Sequence, residues 1–151
     1  MLRLSKKADY ALMAMKHLAL RGDRASSSAR EIAEQYDIPI ELMAKVLQRL
    51  VRRGLLASHQ GTRGGYHLAR QPGRISVADV IQAIDGPVTV TACSTEDGSC
   101  DQFAKCNVRD PLWKVRERIL AALGDCTIAE LAQDTLPTPA PARAAVLHTH
   151  L

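Results

Sequence analysis

Cys93, Cys100 and Cys106 fall within fourteen residues, with six and then five residues between them. The intervening Ser94–Ser99 and Asp101–Lys105 are mostly small or polar. Such residues build neither a buried strand nor an amphipathic helix, so the stretch reads as a loop. Buried free cysteine normally keeps apolar company, so packing is a poor reason for three thiols here. Soft thiolates select zinc or iron–sulfur clusters, which makes a metal or cluster site the economical reading. The spacing argues mildly against structural zinc, whose ligands come as tight pairs about two to four residues apart. Three unrelated thiols, or a disulfide plus one, is the bland alternative.

The elements that must hold this loop can be read around it. The chain has 151 residues, 46% of them apolar and 3% aromatic, dominated by Ala, Leu, Val and Ile. That mix favours helices. No run of about 18 apolar residues is present, so no membrane span is expected. The opening Met1–Lys7 lacks the apolar core of a signal peptide. The expectation is a cytoplasmic protein with reduced thiols, where a metal site is favoured over disulfides. The net charge of +4 hides an asymmetry: residues 1–74 carry fourteen Lys and Arg against six Asp and Glu, and residues 75–151 carry six against ten. A basic first half suits a polyanion such as DNA, although a solvated cationic surface gives the same count.

Ser5 can cap a first helix to about Leu20, with Ala8, Ala11, Leu12, Met15, Leu18 and Ala19 on one face. Ser28 and Glu31 form a capping box for a short second helix ending near Tyr36-Asp37. A third helix begins with Pro39 at its first position, buries Met43, Val46, Leu47 and Leu50, and stops at Gly54. Two helices joined by a tight turn read as a helix-turn-helix, or as an ordinary packed pair. Lys45, Gln48, Arg49, Arg52 and Arg53 on the third helix favour the first. Next come two strand candidates, Leu55–His59 and Tyr66–Ala69, around a glycine-rich tip that carries Arg63. A basic hairpin directly after a helix-turn-helix makes a wing, whose Arg63 can enter a minor groove. The Gly-Lys-Ser/Thr signature of a phosphate loop is missing. Ser76 caps a fourth helix with Asp79 at its third position, stopped by Gly86-Pro87. Asp110 as cap and Pro111 in the first turn start a long helix ending before Gly124. Thr127 and Glu130 form a second capping box. From Asp134 the chain turns Pro- and Ala-rich and reads as a flexible tail, His148 and His150 included. The fold class is mainly α: a winged helix-turn-helix domain (1–72), a cysteine loop with a long dimerisation helix (73–133) and a tail (134–151).

In this order, the parts resemble the IscR/NsrR/RirA family of iron–sulfur winged-helix transcription regulators. The likeness is carried by Leu2–Leu12, Arg52-Arg-Gly-Leu-Leu56, Gly61-Thr-Arg-Gly-Gly-Tyr66 and Thr127-Ile-Ala-Glu-Leu131, over about residues 1–133. Within the family the chain looks most like regulators of the SUF iron–sulfur assembly operon. The resemblance implies a homodimer on double-stranded DNA, with the third helix in the major groove, the wing in the minor groove and the long helices crossing. It implies a [2Fe–2S] or [4Fe–4S] cluster on Cys93, Cys100 and Cys106. Members of the IscR kind carry a histidine three residues after the last loop cysteine, where this chain has Arg109. Members of the NsrR kind use an aspartate in the first helix of the other subunit, which places Asp9 as fourth ligand in trans. Asp9 also suits the first turn of a helix on electrostatic grounds alone. Cys126, outside the loop, is the reserve ligand.

For base reading the candidates are Glu41, Ala44, Lys45 and Gln48, since Glu can accept from cytosine while Lys or Gln pairs with purine edges. Arg49 and Arg52 are expected on phosphates and Arg63 in the wing contact. Nucleophile elbow, phosphate loop and paired carboxylates are missing, so no enzyme is expected. The resulting function is a DNA-binding repressor that senses cluster status, iron or redox stress. The alternatives are a metal-free thiol switch with the same DNA binding, and a small iron–sulfur or zinc protein without it.

Overall fold

The structure is a computed structural model that describes residues 3–22, 25–62, 64–91 and 100–133. Cys93, Arg63 and the tail from 134 lie outside the described residues. Among the described residues, six α-helices and one hairpin follow in the order α1 (Lys6–Arg21), α2 (Ala29–Gln35), α3 (Ile40–Arg52), β1 (Leu56–His59), β2 (Gly65–Leu68), α4 (Val77–Asp85), α5 (Arg109–Asp125) and α6 (Ile128–Gln133). A 3-10 turn at Pro72–Arg74 leads into α4.

The helix starts follow from local chemistry. The Ala8 amide donates to Ser5 Oγ at 3.1 Å, and the Glu31 amide donates to Ser28 Oγ at 3.1 Å. Ser76 and Asp79 exchange both bonds of a capping box, as do Thr127 and Glu130. Each cap satisfies amides that the first turn leaves without partners. Ser5 has a second role: its hydroxyl donates to Asp85 Oδ1 at 2.6 Å, tying the start of α1 to the end of α4.

Three local expectations are corrected. Pro39 is the N-cap of α3, one position earlier than expected. The Glu31 carboxylate lies 3.9 Å from Arg21, and the half of that capping box described is the Glu31 amide donating to Ser28 Oγ. The long helix begins at Arg109, with Val108 rather than Asp110 as N-cap, and runs through Gly124 to Asp125. The Asp110 carboxylate accepts from Arg109 Nε at 3.0 Å, which draws it away from a capping role. Gly124 keeps a negative φ inside the helix, where glycine costs only about 1 kcal/mol relative to alanine.

One buried cluster runs from Ala8 to Ile128. It gathers Met15 and Leu18 of α1, Ile32 of α2, Met43, Leu47 and Leu50 of α3, Val80 and Ile84 of α4, and Ile128 of α6. Two isolated bridges complete it. Ser27 pairs with Tyr66, through Ser27 N–H to Tyr66 O at 3.0 Å and Tyr66 N–H to Ser27 O at 2.8 Å. Ser76 pairs with Thr127, through Val77 N–H to Cys126 O at 2.8 Å and Ile128 N–H to Ile75 O at 2.9 Å. The hairpin pairs antiparallel with Leu56 opposite Leu68 and His59 opposite Gly65. Its Leu56 face turns to the core, with Tyr66 and Leu68 packed beside it. By contrast α5 buries none of its seventeen residues.

Candidate nucleic-acid interface and cysteine loop

Residues step about 100° around a helix axis, so the buried stripe of α3 dictates what its other sides present. Met43, Val46, Leu47 and Leu50 point inward. Glu41, Lys45, Gln48 and Arg52 fall on the opposite side, and all four are exposed. Ala44 and Val51 occupy the flank nearer the hairpin. Leu42 and Arg49 occupy the flank nearer α4. Two hollows confirm the flanks. A cleft of about 670 Å³ lies between α3 and the hairpin, lined by Gln48, Val51, Arg52, His59, Gly64 and Tyr66 among others. A smaller one of about 280 Å³ sits on the far side, where Lys7 and Ile84 join Leu42, Lys45, Arg49 and Arg52. Its lining holds four cations and no carboxylate.

The structure therefore brings Glu41, Lys45, Gln48 and Arg52 together on one outward face. Ala44 is half-buried at its edge. Arg49 stands apart, because its Nε donates to the Ala83 carbonyl of α4 at 2.9 Å. Arg63 lies outside the described residues.

The hairpin is held beside α3 by the Ser27–Tyr66 bridge. Gly65 makes this approach feasible, since a Cβ there would sit 2.7 Å from the Ser27 carbonyl carbon and oxygen. Gly64 is as tightly placed, 2.6 Å from the His59 carbonyl oxygen by the same measure. Behind the bridge lies a polar relay that sequence reasoning missed. Ser27 Oγ shares a hydrogen bond of 3.3 Å with His17 Nε2, and His17 Nδ1 shares one of 3.0 Å with Tyr36 Oη. Burial pulls His17 below the usual histidine range, Arg21 pulls the same way and Glu31 partly opposes them. This imidazole thus links the helix-turn-helix corner to the hairpin through Ser27. The sequence signal was a histidine on the inner half of an amphipathic helix.

Cys100 and Cys106 are free thiols, both half-buried, at the ends of a turned segment. The Phe103 amide donates to Cys100 O and the Lys105 amide to Gln102 O, each at 3.0 Å. The segment is pinned from α5: Arg109 Nη1 donates to Phe103 O at 3.3 Å, and the guanidinium lies 4.3 Å over the Phe103 ring. So the residue at the position of the family's histidine has a structural task here. Arg116, two turns on, donates from Nε to Val88 O at 2.9 Å and lies 4.8 Å from the Trp113 ring centre. Around these anchors Phe103, Val108, Trp113 and Val115 stand about half exposed. Asp9 is exposed on the first turn of α1. Among the described residues no three His, Cys, Asp or Glu side chains converge as a metal site; Cys93 is outside that set. Cys126 stays a thiol: burial pushes it up, and the charge and hydrogen bond of Glu130 add to that.

The family model described as "Rrf2: Iron-dependent Transcriptional regulator" matches residues 4–134. The chain belongs to the Rrf2 family. The HTH-type transcriptional regulator IscR of Xenorhabdus nematophila is 35% identical over 134 residues, 88% of this chain and 80% of the relative. The structure of CymR, the global cysteine regulator of B. subtilis, superposes with a TM-score of 0.74 at 28% identity, covering 90% of this chain and all of that one. The T. potens IscR structure gives 0.69 at 27% identity, covering 91% and 93%. This Rrf2 chain is a transcription regulator of the IscR type with a DNA-binding role, and not an enzyme. Its mostly helical, winged-helix fold agrees with those structures, as the sequence pattern had suggested. No helix among the described residues is long and apolar enough to cross a membrane.

Proposed function

We propose that this chain works as a homodimeric repressor in the cytoplasm, sensing iron–sulfur status through a cluster on its cysteine loop and controlling SUF assembly genes. The observation that supports this best is α5. A seventeen-residue helix that packs on α4 but has no fully buried residue leaves Trp113 and Val115 exposed. An amphipathic helix gains most of its stability from packing, so a second copy of α5 is the natural cover. The helix begins three residues after Cys106, which ties loop and interface together.

The donor chemistry fits a cluster. Cys100 and Cys106 are free thiols, half-buried and held by a preformed turn, and thiolates are the usual ligands of [2Fe–2S] and [4Fe–4S] centres. Cys93 of the same chain, with Asp9 from the other subunit, completes the set. The cluster would supply a bond network that forms or fails with iron, sulfide and oxidant supply. The chain's own part is to hold the thiols through Arg109 and carry their arrangement into α5. On DNA, Glu41, Ala44, Lys45 and Gln48 read base edges, Arg52 serves the backbone and Arg63 enters from the wing, while Arg49 is turned aside to the Ala83 carbonyl. Residues 1–72 form the reading unit, residues 73–133 the sensing and pairing unit, and residues 134–151 the tail.

Anaerobic purification, with iron and acid-labile sulfide counted per chain, tests the reading. Matched iron and sulfide, lost in Cys106→Ala, is the expected result. Zinc without sulfide would replace the cluster by a structural metal. Three reactive thiols without metal would turn the loop into a thiol switch, the second reading; CymR, a cysteine regulator, is as similar in fold as IscR. A carrier without DNA binding does not suit a family of transcription regulators.

A further inference from the structure

We infer that Arg49 is a positioning residue that couples the recognition helix to the cysteine turn. This rests on the reading above, in which the state of the loop governs DNA binding.

Arg49 lies on the α4 flank of α3, off the outward face. Its Nε donates at 2.9 Å to the carbonyl of Ala83, in the last turn of α4. Carbonyls of a last turn have no partner within their own helix, and the negative end of the dipole favours a cation there. The guanidinium thus completes the C-terminus of α4 and fixes α3 against it. From that point the chain leads through Gly86 to Val88, whose carbonyl is held by Arg116 of α5 at 2.9 Å. Seven residues earlier on the same helix, Arg109 holds the Phe103 carbonyl between Cys100 and Cys106.

Three arginines on two helices therefore each grasp a main-chain carbonyl. Together they link α3, the end of α4, the segment that leaves α4, and the cysteine turn. A shift of the turn moves α5 through Arg109, moves residue 88 through Arg116, and moves the seat of Arg49. Rigid donors suit this task, because the planar fork of arginine holds direction where lysine does not. Such a link counts as coupling only when both ends are shown to move together.

The test uses a duplex selected by the wild-type protein from a random pool. Wild type, Arg49→Gln and Arg49→Lys are titrated across a salt series, each loaded with iron and sulfide and again after chelator stripping. In wild type the two states differ in affinity, within the roughly 5- to 150-fold usual for coupled sites. In both variants that ratio falls to near one, while the salt slope stays at the wild-type value. The inference is overturned if Arg49→Lys keeps the ratio and Arg49→Gln lowers the slope by about 0.9, the signature of a lost phosphate contact. If wild type itself shows no ratio, the functional reading fails, and hydrogen exchange on the free protein decides for Arg49. Arg109→Gln is then expected to lower amide protection in the last turns of α3 and α4, and to lose that effect in an Arg49→Gln background. An equal effect in both backgrounds rejects the coupling.

Discussion

The helices around Met15 and the single helix α5 obey different rules. In the first region Met15, Met43, Leu47, Leu50, Ile75 and Ile128 are wholly enclosed by their own chain. In the second, Trp113 is 48% exposed and Val115 41% exposed, and the longest of the described helices has no fully buried residue. The same sequence thus contains a part enclosed by its own chain and a part left half exposed. Polar anchoring divides the same way. The core region is locked by reciprocal caps and two main-chain bridges, whereas the α5 region is held by arginine side chains on carbonyls.

Substitutions that act on one region and spare the other sharpen this contrast. The largest expected effect is Leu47→Ala, which empties a fully enclosed site and costs about 2–5 kcal/mol of stability. Urea denaturation at fixed protein concentration measures it, and a loss well under 1 kcal/mol would show that the core is looser than its burial implies. Next is Gly65→Ala. The added methyl meets the Ser27 backbone at 2.7 Å, and such overpacking costs about 1–3 kcal/mol. Selected DNA should bind less well too, since the wing loses its seat; unchanged affinity would separate the wing from DNA binding.

A smaller effect comes from His17. Its folded pKa lies below the ordinary value of about 6.5, so the unfolded chain takes up the proton first as pH falls. The stabilisation is complete above about pH 6.5 and is lost progressively as pH drops toward the folded value. Urea midpoints should therefore fall with acidity in wild type and less steeply in His17→Gln; parallel pH curves would remove His17 from the account. The smallest effect on the fold is Trp113→Ala, expected within about 0.5 kcal/mol for the isolated chain as for other surface sites. Its effect on association is the opposite extreme: a tryptophan at an interface hot spot costs about 2 kcal/mol or more when truncated. Sedimentation of wild type and Trp113→Ala side by side reads that difference, and identical association would leave α5 without its proposed cover.

What was legible in the sequence was mostly local. Ser5, Ser28, Ser76 and Thr127 mark helix starts because a hydroxyl reaches amides only a few residues away, whatever the rest of the fold does. The buried stripe of α3 was equally readable, and with it the outward face of Glu41, Lys45, Gln48 and Arg52. Asp110-Pro111 misled because Arg109, its neighbour, claims the carboxylate that would have capped the helix. The bonds across the fold could not be read. Nothing near Ser27 announces Tyr66, thirty-nine residues on, and nothing near Arg49 announces Ala83. Of the candidate site, thiol spacing indicated the chemistry, but the role of Arg109 as an anchor for Phe103 needed the third dimension.

The Ser76–Thr127 bridge has an evolutionary consequence. It brings the chain back to the point from which α4 departs. Between those two points the chain runs out along α4, whose inner face belongs to the core, and comes back through the cysteine loop and α5, which add no residue to it among those described. A segment with that geometry can be lengthened, shortened or exchanged for one of different chemistry while the DNA-reading body keeps its shape. One scaffold can in this way acquire new signals by replacing a detour, and a chimera carrying another regulator's excursion between residues 86 and 126 should still fold.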